Sequence, residues 1–206
     1  MAGHHQIARI DEEQLSHGPN EANIKKVMQY ISSDLSCIVI SDYNKGFLSA
    51  LFLKKIIQQA NRKKIPVLID PKGKDVAKYA GATLITPNKK EAMELTDLTN
   101  FDKDLLNTAL RKISKNFKIN SIVMTQGEDG ISHISSNKIN TYPTSISKQV
   151  YDVSGAGDTV IATLACGISA KLDLSDSFKL ANLAAGIVIS KLGTVPIKGE
   201  ELLEEI

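Results

Sequence analysis

An α/β fold, a mostly parallel sheet with helices on both faces, is what three features of this 206-residue chain predict. Helix-period segments alternate with short β-branched runs between residues 23 and 189, the pattern of strand–helix units that pair in parallel. Polar clusters follow the first four of those runs, as loops at one end of such a sheet should. Nothing rich enough in Pro, Gly or Ser divides the chain and no internal repeat is visible, so a single domain over 1–206 is expected.

Taken in order, the segment 23–33 is polar on one side and apolar on the other and predicts a helix, followed by a strand at 37–41. A second amphipathic stretch at 49–63 and a strand at 66–70 repeat the unit. The short strand 83–86 leads through Pro87 into a helix at 89–95, where Asn88 and Glu91 have capping-box spacing. Another helix at 102–116 precedes the strand 121–125. Residues 131–134 and 139–142, joined across Ser135-Ser136-Asn137-Lys138, have the look of an antiparallel hairpin, so a mixed edge is expected there. Residues 147–150 lead onward to a glycine turn, and helices at 157–170 and 175–191 close the chain. Small residues at 181–185 allow close packing or the approach of a flat ligand.

Composition excludes several classes of function. A net charge of +2, no Trp and 5% aromatic residues give neither the field nor the stacking surface for nucleic acid. No uninterrupted apolar stretch reaches transmembrane length, and no signal-peptide order is seen at the N-terminus. Cys37 and Cys166 lie in apolar runs without disulfide or zinc spacing and are expected to act as small hydrophobes, which suits the cytoplasm. His4, His5, His17 and His133 lack convergent ligand spacing and are expected at the surface.

The most informative run is Tyr151-Asp152-Val153-Ser154-Gly155-Ala156-Gly157-Asp158-Thr159. Small residues let main-chain N–H groups converge on an anion, and the following helix points its positive end at the same place. A carboxylate beside an anion nest repels phosphate, so Asp158 makes sense there as a base for an attacking hydroxyl. The alternative is a plain strand-to-helix turn with Asp158 as a first-turn helix acid. In open α/β sheets the ligand crevice lies at the carboxyl ends of the strands. There the chain sets 41–46, 70–73, 86–91 and 125–130, clusters carrying carboxylate, amide and ammonium groups.

These residues together resemble the PfkB, or ribokinase-like, carbohydrate kinases. The run 152–158 matches that family's signature, and Asn88 with Glu91 its Asn-x-x-Glu element. Ser41 to Gly46, Val67 to Gly73, Gly81 to Asn88 and Leu192-Gly193-Thr194 are similar to the heptose-phosphate kinases within it. The resemblance implies a three-layer α/β/α sandwich and ATP-dependent phosphorylation of D-glycero-β-D-manno-heptose 7-phosphate at C1, in ADP-heptose and lipopolysaccharide core synthesis. It leaves open another sugar acceptor, or a nucleotide-binding fragment without turnover.

Carried over residue by residue, the resemblance makes Asp158 the general base, with the amides of Gly155, Ala156 and Gly157 facing the transferring phosphoryl group. Asn88 and Glu91 would orient Mg²⁺ through its waters. Thr125, Gly127 and Gly130 would lie along ATP, and Asn182 and Ala185 near its adenosine. Lys72 would touch nucleotide phosphate, while Asp42 and Lys45 would hold the sugar phosphate. A monovalent cation and a homodimeric full-length protein are further implications. At the front, Gln6 to Glu12, with Arg9 and Asp11, resembles the end of a returning lid strand. The expectation is therefore a chain lacking the family's first strand and most of its β-lid.

Overall fold

The structure, a computed structural model, describes residues 16, 18–32, 34–144, 153 and 155–206. Residues 6–12 and 147–150, Tyr151, Asp152, Ser154 and three of the histidines, His4, His5 and His17, lie outside the described residues. The elements run α1 (Glu21–Tyr30), β1 (Ile38–Ser41), α2 (Ala50–Arg62), β2 (Val67–Asp70), β3 (Leu84–Ile85), α3 (Lys89–Leu95), α4 (Lys103–Phe117) and β4 (Ser121–Thr125). Then come β5 (Ile131–Ile134), β6 (Ile139–Tyr142), α5 (Ala156–Ser169), α6 (Leu174–Ile189) and α7 (Gly199–Leu203). Among the described residues, the sequence pattern does not show the 3₁₀ turns at Val76–Tyr79 and Gly127–Asp129 or α7. All are too brief to show a helical period.

The six strands lie in the order β1-β2-β3-β4-β5-β6. β1 to β4 are parallel, whereas β4, β5 and β6 pair antiparallel, which is the mixed edge expected of the hairpin. Alternation along the strands feeds two cores. Val67, Ile69, Ile85, Ile122 and Met124 point to one face, packed against α2, α3 and α4, with α1 covering them partly. Leu68, Leu84, Val123 and Ile131 point to the other, beneath α5 and α6. The result is three layers. On the first face Phe52, Leu53 and Ile57 are at most 2% exposed, and burial of that kind is worth about 1.5–3 kcal/mol per side chain.

Local chemistry sets the helix bounds. α1 starts two residues before the expected position because Asn20 accepts from the Asn23 amide and caps it. Ser49 does the same for α2. On the second face α5 and α6 cross closely at Gly167, where a Cβ would stand 2.5 Å from Ser177 Oγ. Two sequence expectations are corrected here. His133 is half-buried within β5, its Nε2 3.0 Å from Ser121 Oγ and its ring 4.6 Å from Phe178. Burial lowers its pKa. Cys166 is exposed, because it sits on the outward side of α5, while Cys37 is half-buried beside Ala165 and Ser169. Among the described residues no helix is long and apolar enough to cross a membrane.

Candidate active site

Parallel pairing of β1 to β4 brings the four polar loops to one edge of the sheet. The β3–β4 pairing extends past the strands. The Thr125 amide donates to Pro87 O at 3.0 Å, and Asn88 bridges to Thr125, so the loops after these two strands are held side by side.

Asn88 caps α3 through its Oδ1, which accepts from the Glu91 amide at 2.9 Å, while Glu91 Oε2 accepts from the Asn88 amide at 3.0 Å. This is the capping box read from the spacing. Glu91 Oε1 lies 2.8 Å from Lys72 Nζ, and the glutamate side chain is only 10% exposed. The Lys72 pKa is raised, chiefly by its bond to Glu91. Both carboxylate oxygens and the amide oxygen are thus already engaged.

Asp70 ends β2 within the polar cluster 70–73 and joins the site. Its pKa is pushed up to about 6, first by burial and then by the charges of Glu91 and Asp158. Thr86 Oγ1 lies 3.4 Å from it. A signal existed, since Asp70 occupies the same strand-end position as the other site loops. A carboxyl with a folded pKa near 6 and an ordinary value of 3.8 binds its proton more tightly when folded. Its contribution to stability is complete at low pH and is lost as pH rises through 6. Asp70→Asn is therefore expected to raise the melting temperature at about pH 7.5 and to give little gain near pH 4, by paired thermal melts. An equal gain at both would contradict this electrostatic account.

The glycine turn stands at the start of α5. Gly155 is the N-cap, with φ 80°, and its carbonyl accepts from the Thr159 amide and hydroxyl at 2.9 and 2.8 Å. Asp158 is exposed in the first turn. On one side of this turn a cavity of about 390 Å³ is lined by Asn88, Thr125, Gly127, Gly130, Ala156, Gly157, Asn182 and Ala185, among others. It unites eight of the residues singled out from sequence. On the other side Gly155 and Asp158 border a second cavity of about 380 Å³, walled by Thr163 and by Thr194 to Ile197.

Asn182 is buried, and its Nδ2 donates to the carbonyls of Tyr142 and Pro143 at 3.2 and 2.7 Å. It holds the end of β6 against α6 and so shapes the cavity wall. Asp42 departs from its expected place. Its carboxylate is buried, accepting from the Asn44 amide at 2.7 Å, from Tyr79 Oη at 2.7 Å and from Lys78 Nζ at 2.7 Å. Those bonds satisfy its carboxylate inside the fold, while the residue still borders the hollow that Lys45 lines. Tyr79, wholly buried and with a raised pKa, came from a 3₁₀ turn that sequence periodicity could not show. Lys45 is exposed and lines, with Asp42, Tyr43 and Phe47, a hollow of about 340 Å³ distinct from the two cavities at the α5 turn.

A carbohydrate kinase arrangement is recognisable in comparison with known proteins. Residues 10–198 match the model of the pfkB family of carbohydrate kinases. The chain belongs to the pfkB family. It is 42% identical to the bifunctional protein HldE of Methylobacillus flagellatus, aligned over 100% of this chain and 43% of that protein. It is 40% identical to the bifunctional protein HldE of Campylobacter fetus, over 98% of this chain and 44% of that protein. The chain therefore spans less than half the length of these curated relatives. Its fold is ribokinase-like. It superposes on phosphofructokinase-2 of Escherichia coli in complex with potassium with a TM-score of 0.79 at 18% identity, covering 90% of this chain and 61% of that one. On Arabidopsis thaliana ribokinase complexed with ribose and ATP the TM-score is 0.74 at 17% identity, covering 92% and 60%.

Proposed function

We propose that this chain carries the nucleotide-binding and catalytic part of a sugar kinase that transfers the γ-phosphoryl group of ATP to the C1 hydroxyl of D-glycero-β-D-manno-heptose 7-phosphate. The observation that carries the reading is the glycine turn of α5 standing between two cavities, one polar-lined beside Gly127 and Gly130, the other bearing Asp158. Membership of the pfkB family and similarity to HldE proteins support the acceptor class.

ATP occupies the first cavity, its adenosine toward Asn182 and Ala185 and its phosphates toward the start of α5. The positive end of that 14-residue helix and the amides of its first turn stabilise charge on the transferring group. On the opposite side Asp158 takes the proton of the C1 hydroxyl, whose oxygen forms the new bond to phosphorus as the bond to ADP breaks. Glu91, its side chain 10% exposed, and Asp70 fit a magnesium ion held through its waters, since they would supply carboxylate charge beside the phosphates. When bound, such an ion would neutralise phosphate charge. Asn88, its oxygen taken by the Glu91 amide, lines the cavity and has its Nδ2 hydrogens to offer as donors.

Nucleotide binding has its own check. ATP at one hundred times its Kd should stabilise the fold by about 2.7 kcal/mol, and Ala185→Phe, which fills the cavity, should abolish the effect in thermal melts. For the acceptor, incubation with ATP, Mg²⁺ and heptose 7-phosphate should yield a second sugar-phosphate resonance by phosphorus NMR. Faster transfer to an unrelated sugar would contradict the heptose assignment, and nucleotide binding without transfer to any acceptor would leave a binding module.

A further inference from the structure

We infer that Lys72 is a stand-in cation, its ammonium neutralising Glu91 while no divalent ion is bound and moving to a nucleotide phosphate oxygen when one arrives. The inference rests on the reading of Glu91 as the metal-side carboxylate.

Its basis is an unequal ion pair. The two groups meet at 2.8 Å, yet the Lys72 side chain is 53% exposed against 10% for Glu91. Glu91 cannot follow a departing partner, because its Oε2 is held independently by the Asn88 amide at 3.0 Å. The main chain of Lys72 cannot follow either. Its N–H donates to the Tyr79 phenol oxygen at 2.9 Å, and that phenol donates to Asp42 Oδ2 at 2.7 Å. Lys78 Nζ closes the chain of contacts on Asp42 at 2.7 Å. Only the flexible methylenes of Lys72 remain free to swing, from a fixed base toward a fixed carboxylate or away from it.

Charge supplies the direction. Asp70 feels the charges of Glu91 and Asp158, and Lys72 acts on Asp70 while pairing with Glu91. A divalent ion beside Glu91 would repel the ammonium, while the phosphate oxygens of the nucleotide that accompanies it would attract the ammonium. A purely structural pair of this exposure would contribute about 0–1 kcal/mol to stability and nothing to metal selectivity.

The test is Mn²⁺ binding to the nucleotide-free chain, followed by the loss of the free-ion paramagnetic resonance signal, for wild type, Lys72→Met, Lys72→Arg and Glu91→Gln. Lys72→Met should tighten Mn²⁺ binding about 2- to 5-fold, and Lys72→Arg, which keeps the pair, should return it to the wild-type value. Glu91→Gln should weaken binding. Unchanged or weaker binding by Lys72→Met, or none measurable, with Glu91→Gln still weakened relative to wild type, overturns the role of Lys72 alone. Wild-type binding by Glu91→Gln overturns the metal reading itself and this inference with it.

Discussion

Acceptor-dependent ADP release falls by about 10²–10⁴-fold in Asp158→Asn, the loss expected when a positioned general base is removed. The side chain keeps its size and its place in the first turn of α5, so the nucleotide cavity on the other side of that turn should be undisturbed. ATP affinity is accordingly expected to stay within a few fold of wild type. Asp158 does not line the nucleotide cavity; it borders the cavity with Thr163 and Thr194. A variant that lost ATP binding and kept its turnover at saturation would place Asp158 with the nucleotide instead. Steady-state kinetics in both substrates, with a binding isotherm for ATP, separate the two.

Gly130→Ala is expected to cost about 3 kcal/mol, from backbone strain together with a steric clash. Gly130 has φ 81° and ψ −132°, a region essentially restricted to glycine, and its carbonyl accepts from the Gln126 amide at 2.8 Å to close the turn between β4 and β5. A Cβ there would overlap the Tyr142 carbonyl oxygen and stand 2.8 Å from the Thr144 nitrogen. Relief requires moving the chain at the end of β6, which Asn182 anchors and which runs on to Thr144 in the wall of the proposed nucleotide cavity. A loss of roughly 6–12 °C in melting temperature should therefore accompany weaker ATP binding. Gly127→Ala is the comparison. With φ 61° and open space around its Cβ position, it should cost only about 1 kcal/mol. Equal losses at the two glycines would contradict the steric argument.

The sheet was legible because its chemistry is repetitive. Each parallel strand carries β-branched residues facing two cores, and each strand end carries polar residues that need solvent or a ligand, so the hairpin at Ile131–Ile134 and Ile139–Tyr142 and the helix at Lys89–Leu95 follow directly from local pattern. The turns around the candidate site were legible for the same reason, since Thr125, Gly127 and Gly130 close a strand and Gly155 opens a helix. What the sequence could not show is which polar groups satisfy one another. Asp42 and Lys72 looked alike as loop charges after neighbouring strands. Asp42 turns inward to Tyr79 and Lys78, residues brought to it by a 3₁₀ turn with no periodicity, whereas Lys72 stays half exposed on Glu91. His133 misled for a related reason: its alternate position in β5 points it at Phe178 of α6, a contact set by the packing of two distant elements.

The central claim, that this fold moves phosphoryl groups across the α5 turn to a sugar hydroxyl, is tested most directly by ADP release with ATP and Mg²⁺ in the presence and absence of heptose 7-phosphate. It should be run on this chain and on the protein at the length of its HldE relatives. The account predicts release that depends on the acceptor and disappears with Asp158→Asn; ADP release indifferent to acceptor, or unchanged without the Asp158 carboxylate, would contradict it.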